Sequence, residues 1–273
     1  MALPYGWTFA VLCVFQGILV ALGWRRRWQL GASKLIGVVL PVGALAIGLA
    51  ATRQSGWSTT ALATIATFGA PLAAMAASAA LGYQPSIAIV LTPIAFVIAW
   101  RMDGLVSDAA SVAIIGAACL SIATLIAAAA PQRAIAIGLV VLAIVDAVLV
   151  FRGHVATSTV TLHAVEPPVA AGHPLPALQD ATLGNSLYGW LDILAPALAG
   201  MLFPAERARR MFAGVMTAVA ALIWALLLGL TDQIPGTVPA LAAVLVWATT
   251  RTPHERIAVH EVAIRPANAI RQK

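Results

Sequence analysis

The sequence predicts an all-α membrane protein with nine transmembrane helices in one domain. Three observations lead there. Of its 273 residues, 61% are hydrophobic and only 10% are charged, whereas a soluble domain carries about a quarter charged residues. Apolar runs of near-spanning length recur along the whole chain. The positive residues collect at alternate ends of those runs.

In chain order the apolar runs are 6–24, 35–51, 58–81, 86–100, 109–130, 134–151, 187–203, 211–230 and 236–250. The first has no basic residue before it and is followed by Arg25, Arg26 and Arg27. That is the pattern of a signal anchor with its N-terminus outside, not of a cleaved signal peptide. Run 86–100 is the weakest and contains Pro93. Neighbouring helices cover the backbone that such a proline frees. Ala, Gly, Ser and Thr fill much of the remaining sequence and allow helices to approach closely.

With nine spans the loops alternate sides. One side holds Arg25, Arg26, Arg27, Lys34, Arg133, Arg207, Arg209, Arg210, Arg251, Arg256, Arg265, Arg271 and Lys273; the other holds Arg53, Arg101 and Arg152. This 13-to-3 division of the 16 Lys and Arg residues puts the N-terminus outside and the C-terminus in the cytoplasm. The domain plan is one transmembrane unit over 1–250 and a basic cytoplasmic tail over 251–273. The net charge of +6 is thereby a topology signal and a source of attraction to anionic headgroups, not a nucleic-acid footprint. The Ala- and Arg-rich, Lys-poor composition suits a GC-rich prokaryotic genome, and hence the plasma membrane.

Residues 152–186 form the one long internal loop, on the outer side. It opens with "HVATSTVTLHAV" and then turns proline-rich at Pro167, Pro168, Pro174 and Pro176. The β-branched first part is expected to supply a short strand over 155–162, and the second part cannot be helical. An exposed strand edge there would pair with an extended peptide.

Two acids lie within apolar runs: Asp146 in "LAIVDAVLVF" and Asp192 in "YGWLDILAPALAG". A charge at mid-span costs about 2.5–3.5 kcal/mol on insertion scales, so each needs a function. Asp146 lies five residues before Phe151 and Asp192 five residues after Leu187, on consecutive antiparallel runs. At 1.5 Å rise per residue both sit roughly 8 Å below the same membrane face. Two carboxylates facing each other in apolar surroundings cannot both ionise and share a proton. One acts as base toward water while the other donates to a carbonyl oxygen. A proton or cation relay and a pair of hydrogen-bonded acids without chemistry are the rival readings.

On these residues the chain resembles the presenilin and signal peptide peptidase family of intramembrane aspartyl proteases. That family carries one aspartate in the sixth span, a second in the seventh within Gly-x-Gly-Asp, and Pro-Ala-Leu at the start of the ninth. Here the three places are held by Asp146, by "GWLD" ending in Asp192, and by Pro239, Ala240 and Leu241. Pro196, four residues after Asp192, and Val150 and Phe151 after Asp146 are also similar to signal peptide peptidases. Val145 stands where the family has tyrosine, and Leu191 where it has the second glycine; Gly189 keeps the first. The resemblance implies a presenilin-like helix arrangement and catalysis by Asp146 and Asp192. It also implies a substrate groove lined by Gly189, Leu191, Pro239, Ala240 and Leu241. The N-outside orientation is similar to that of signal peptide peptidases, which implies type II helices or leftover signal peptides as substrates.

Other chemistry lacks its residues. The chain has no Gly-x-Ser-x-Gly and no His-Glu-x-x-His. His154, His163, His173 and Glu166 share the outer loop at irregular spacing and read as solvated. Cys13 and Cys119 sit in apolar runs as fillers. The expected enzyme therefore uses no metal and no cofactor. Its partners are membrane-embedded helical peptides and the bilayer, with self-association left open. The alternatives are a proton- or cation-coupled transporter built on the same carboxylates, and a catalytically weak membrane chaperone.

Overall fold

A computed structural model describes residues 6–23, 57–81, 85–152, 169–170, 173–203, 207–226 and 234–250. The chain is mostly helical. The helices are α1 (Gly6–Leu22), α2 (Trp57–Leu81), α3 (Pro85–Arg101), α4 (Leu105–Ala129), α5 (Gln132–Phe151), α6 (Trp190–Gly200), α7 (Arg207–Ala225) and α8 (Leu241–Thr249). Each falls on one of the nine apolar runs; run 35–51 and the tail 251–273 lie outside the described residues.

Among the described residues, α4, α5 and α7 are long and apolar enough to cross a membrane. The others are shorter or interrupted, with Pro71 inside α2 and Pro93 inside α3. Two departures from the expected spans have a visible cause. Run 187–203 forms a helix of only 11 residues, about 16 Å long, because Ser186–Tyr188 is taken into a hairpin. Run 236–250 forms a helix of 9 residues, because Val238–Ala240 winds as a 3₁₀ turn around Pro239.

On α7 small residues face inward and large apolar side chains face out, as expected where lipid is the solvent. On α7, Ala213, Gly214, Thr217 and Ala221 are buried, while Phe212, Val215, Val219 and Ile223 are exposed. Gly17 of α1 and Gly214 of α7 meet so closely that a Cβ on either would collide with the other's carbonyl oxygen. In the centre lies α6, with Ile193 through Gly200 all buried. It packs against α1, α4, α5, α7 and α8.

The segment between α5 and α6 is built in, at least over 175–188. Leu175, Leu178, Gln179 and Asp180 are buried. Strands β1 (Val169–Ala170) and β2 (His173–Pro174) pair antiparallel, as do β3 (Ala181–Leu183) and β4 (Ser186–Tyr188). Gly184 turns the second hairpin at φ 58°, a left-handed conformation suited to glycine. That hairpin is held from two sides. Gly184 N–H donates to Asp108 Oδ2 on α4 at 2.8 Å. On α1, Thr8 Oγ1 and Ser186 Oγ are 3.0 Å apart, and Phe9 stacks on Tyr188 at 5.4 Å. The strand expected at 155–162 lies outside the described residues; the observed strands lie downstream, where backbone pairing and the prolines exclude helix.

Candidate functional site

Asp146 belongs to the inward face of α5. Ile135, Leu139, Leu142, Ala143, Asp146 and Val150 are buried, while Ile137, Ile144, Val148 and Phe151 face out. The helical period thus turns the acid into the bundle and away from lipid. There its Oδ2 accepts two hydrogen bonds from one residue: Thr237 Oγ1 donates at 2.6 Å and Thr237 N–H at 3.3 Å.

Asp192 is the third residue of α6, in its first turn rather than five residues deep. The capping geometry explains the start. Gly189 N–H donates to Asp192 Oδ2 at 2.9 Å, and Asp192 N–H donates to the Gly189 carbonyl at 3.0 Å. This reciprocal pairing satisfies otherwise orphaned amides, and a carboxylate is favoured at a helix N-terminus. Asp192 therefore has a structural task besides any chemical one. The residue as a whole is half-buried, but its carboxylate is packed under Gly236; Asp146 is buried.

The two carboxylates lie within direct electrostatic reach of each other. What joins them is the segment Pro235-Gly236-Thr237, buried throughout. Thr237 holds Asp146, and the Gly236 α-carbon rests against the Asp192 carboxylate, where an added Cβ would overlap Cγ. Trp224 Nε1 on α7 donates to Pro235 O at 3.0 Å and fixes the segment from behind.

Gln16, 1% exposed on α1, completes the arrangement. Its Nε2 donates to Asp192 O at 3.0 Å and to Gly236 O at 3.1 Å. The first bond has a reason in the sequence. In α6 the Asp192 carbonyl would accept from the amide four residues on, but that residue is Pro196, which has no N–H. The amide of Gln16 takes the missing donor's place.

Of the residues expected in the groove, Pro239 and Ala240 are buried and Leu241 is half-buried. Their 3₁₀ turn touches both α5 and α6, and Ala240 N–H donates to Thr237 O at 3.2 Å. Pro-Ala-Leu thus begins two residues after the threonine that holds Asp146. Gly189 caps α6 with φ −71°, and a Cβ there would lie 3.5 Å from Asp192 Oδ2, an ordinary contact. Leu191 is half-buried and packs against the core. Cys13 Sγ lies 3.4 Å from Tyr188 Oη, and Cys119 Sγ donates to Trp190 O at 3.8 Å, so both cysteines border the α6 start. His154, His163 and Glu166 lie outside the described residues.

Sequence reasoning did not find Gln16, Gly236 or Thr237. Gln16 carried the same signal as Asp146, a strongly polar side chain inside an apolar run. Gly236 and Thr237 carried none, being small residues beside a proline. No family model, curated protein or solved structure matches the chain.

Proposed function

We propose that the chain is an intramembrane aspartyl protease of nine spans that hydrolyses peptide bonds in membrane-embedded helices or signal peptides. The observation that carries this reading is that Asp146 and Asp192, from two different helices, both abut one segment, Gly236–Thr237. Two carboxylates that interact in an apolar bundle hold one proton between them. The ionised member takes a proton from water, and the water oxygen bonds to the peptide carbonyl carbon. The protonated member donates to the carbonyl oxygen. The resulting diol collapses as the nitrogen takes a proton and the C–N bond breaks, giving a carboxylic acid and an amine.

Three further features support it. Pro239 and Ala240 continue directly from the segment that holds the dyad. The period of α5 turns Asp146 into the bundle and away from the exposed apolar face, as a reacting acid shielded from lipid requires. The 13-to-3 charge division favours the N-outside orientation, for which type II helices or signal peptides are the matching substrates.

Binding of a hydroxyl-bearing peptide isostere tests the reading against a carboxylate-based transporter. A transition-state analogue binds an enzyme far more tightly than its substrate does, by 10²-fold or more. The isostere should bind the purified protein and lose affinity in Asp192→Asn. Equal affinity for the isostere and the parent peptide would favour the transporter.

A further inference from the structure

We infer that Thr237 is a positioning residue that fixes Asp146 as the base of the dyad; the inference rests on the hydrolytic reading above. Thr237 is 2% exposed, and both of its donors converge on a single oxygen, Asp146 Oδ2, at 2.6 and 3.3 Å. An oxygen that accepts an N–H and an O–H together has no place for a proton of its own. The hydroxyl bond is short, as charge-assisted bonds are, and together with the longer N–H bond it fixes the plane of the carboxyl group.

The consequence is a division of labour. Asp146 Oδ2 is occupied, and no described residue donates to Oδ1. That leaves Oδ1 to take the proton from the attacking water. Asp192 is held differently. Its Oδ2 accepts from Gly189 N–H, and its other face lies against the Gly236 α-carbon, which offers no donor. Two donors on one oxygen of Asp146, one of them a hydroxyl at 2.6 Å, outweigh the single N–H and the helix N-terminus at Asp192, so the shared proton rests on Asp192, which delivers it to the substrate carbonyl oxygen. In the second half of the reaction Asp146 gives its proton to the leaving nitrogen, and the diol returns one to Asp192. Both acids end as they began.

The threonine is suited to this by its place in the chain. Its backbone amide lies at the entrance of the 3₁₀ turn, where N–H groups have no partner within the turn. Its hydroxyl adds the second bond. The pair Gly236–Thr237 thus sets both acids: a missing side chain makes room for Asp192, and a hydroxyl holds Asp146.

The test is steady-state cleavage of a labelled helical membrane peptide by purified wild type, Thr237→Val and Thr237→Ser in bicelles. Thr237→Val keeps the shape and the N–H but removes the hydroxyl. Loss of a hydrogen bond to a charged group predicts that kcat falls roughly 10- to 100-fold with KM unchanged. Thr237→Ser, which restores the donor, should return kcat to within about threefold of wild type. The inference is overturned if wild type cleaves and Thr237→Val keeps its kcat, or loses only KM, or is matched in its loss by Thr237→Ser. Should Thr237→Val not fold, Thr237→Ala carries the same expectation. A wild type that cleaves no peptide would remove the hydrolytic reading itself, a different outcome from loss of the threonine effect alone.

Discussion

The Asp192 carboxylate rests on the bare α-carbon of Gly236, with no room for a methyl group between them. This contact sets where the carboxylate points, because the acid is already tied at its other side to Gly189 N–H.

Gly236→Ala is therefore expected to displace Asp192 and cost on the order of 100-fold in cleavage rate, the effect of a small misplacement of a reacting group. Gly189→Ala is the contrasting variant. Its added Cβ meets Asp192 Oδ2 at an ordinary 3.5 Å, and φ −71° suits any residue. It should cost less than about 1 kcal/mol of stability and keep most of the activity. Rates and melting temperatures of the two variants, measured side by side, check the pair. Equal losses would mean that Gly236 has no special place at the site.

Gln16 and Pro196 should be coupled although they sit on different helices. Gln16→Leu strands the Asp192 and Gly236 carbonyls inside the bundle, at about 1–3 kcal/mol. In a Pro196→Ala background the helix regains an N–H for Asp192 O, so Gln16→Leu should cost measurably less. A double-mutant cycle on unfolding in detergent reads this directly. Strict additivity would show that the glutamine does not stand in for the proline's missing donor.

Labelling with a membrane-impermeant thiol reagent tests orientation. Cys13 and Cys119 are both 0% exposed, so the native protein should stay unlabelled. Single cysteines at Asn185 and Ala208, both exposed, should label from the outside and from the cytoplasm respectively. The charge asymmetry predicts this pattern, and the reverse pattern would remove the N-outside orientation while leaving the acid pair in place.

The sequence made Asp146 legible because a lone acid in an apolar run has few explanations, and helical periodicity then turned it inward. The nearness of Asp192 was legible from matched spacing, although the ruler was wrong. Asp192 lies in the first turn of α6, and its depth comes from the hairpin and the cap rather than from five residues of helix. The helix ends were less legible, since an apolar run does not reveal that Ser186–Tyr188 will pair as a strand or that Pro239 will tighten the next turn to 3₁₀. Gly236 and Thr237 act through contacts with residues 44 to 91 positions away, and nothing in local composition announces such contacts. Gln16 was readable in principle, had the missing N–H of Pro196 prompted a search for a donor.

The most direct measurement is cleavage of a labelled helical membrane peptide by purified wild type beside Asp146→Asn and Asp192→Asn. The substitutions nearly keep shape and remove one member of an acid–base pair. The account predicts defined peptide fragments from wild type and none from either variant, with both variants inserted and folded. Substantial cleavage by either purified variant would contradict a two-aspartate mechanism.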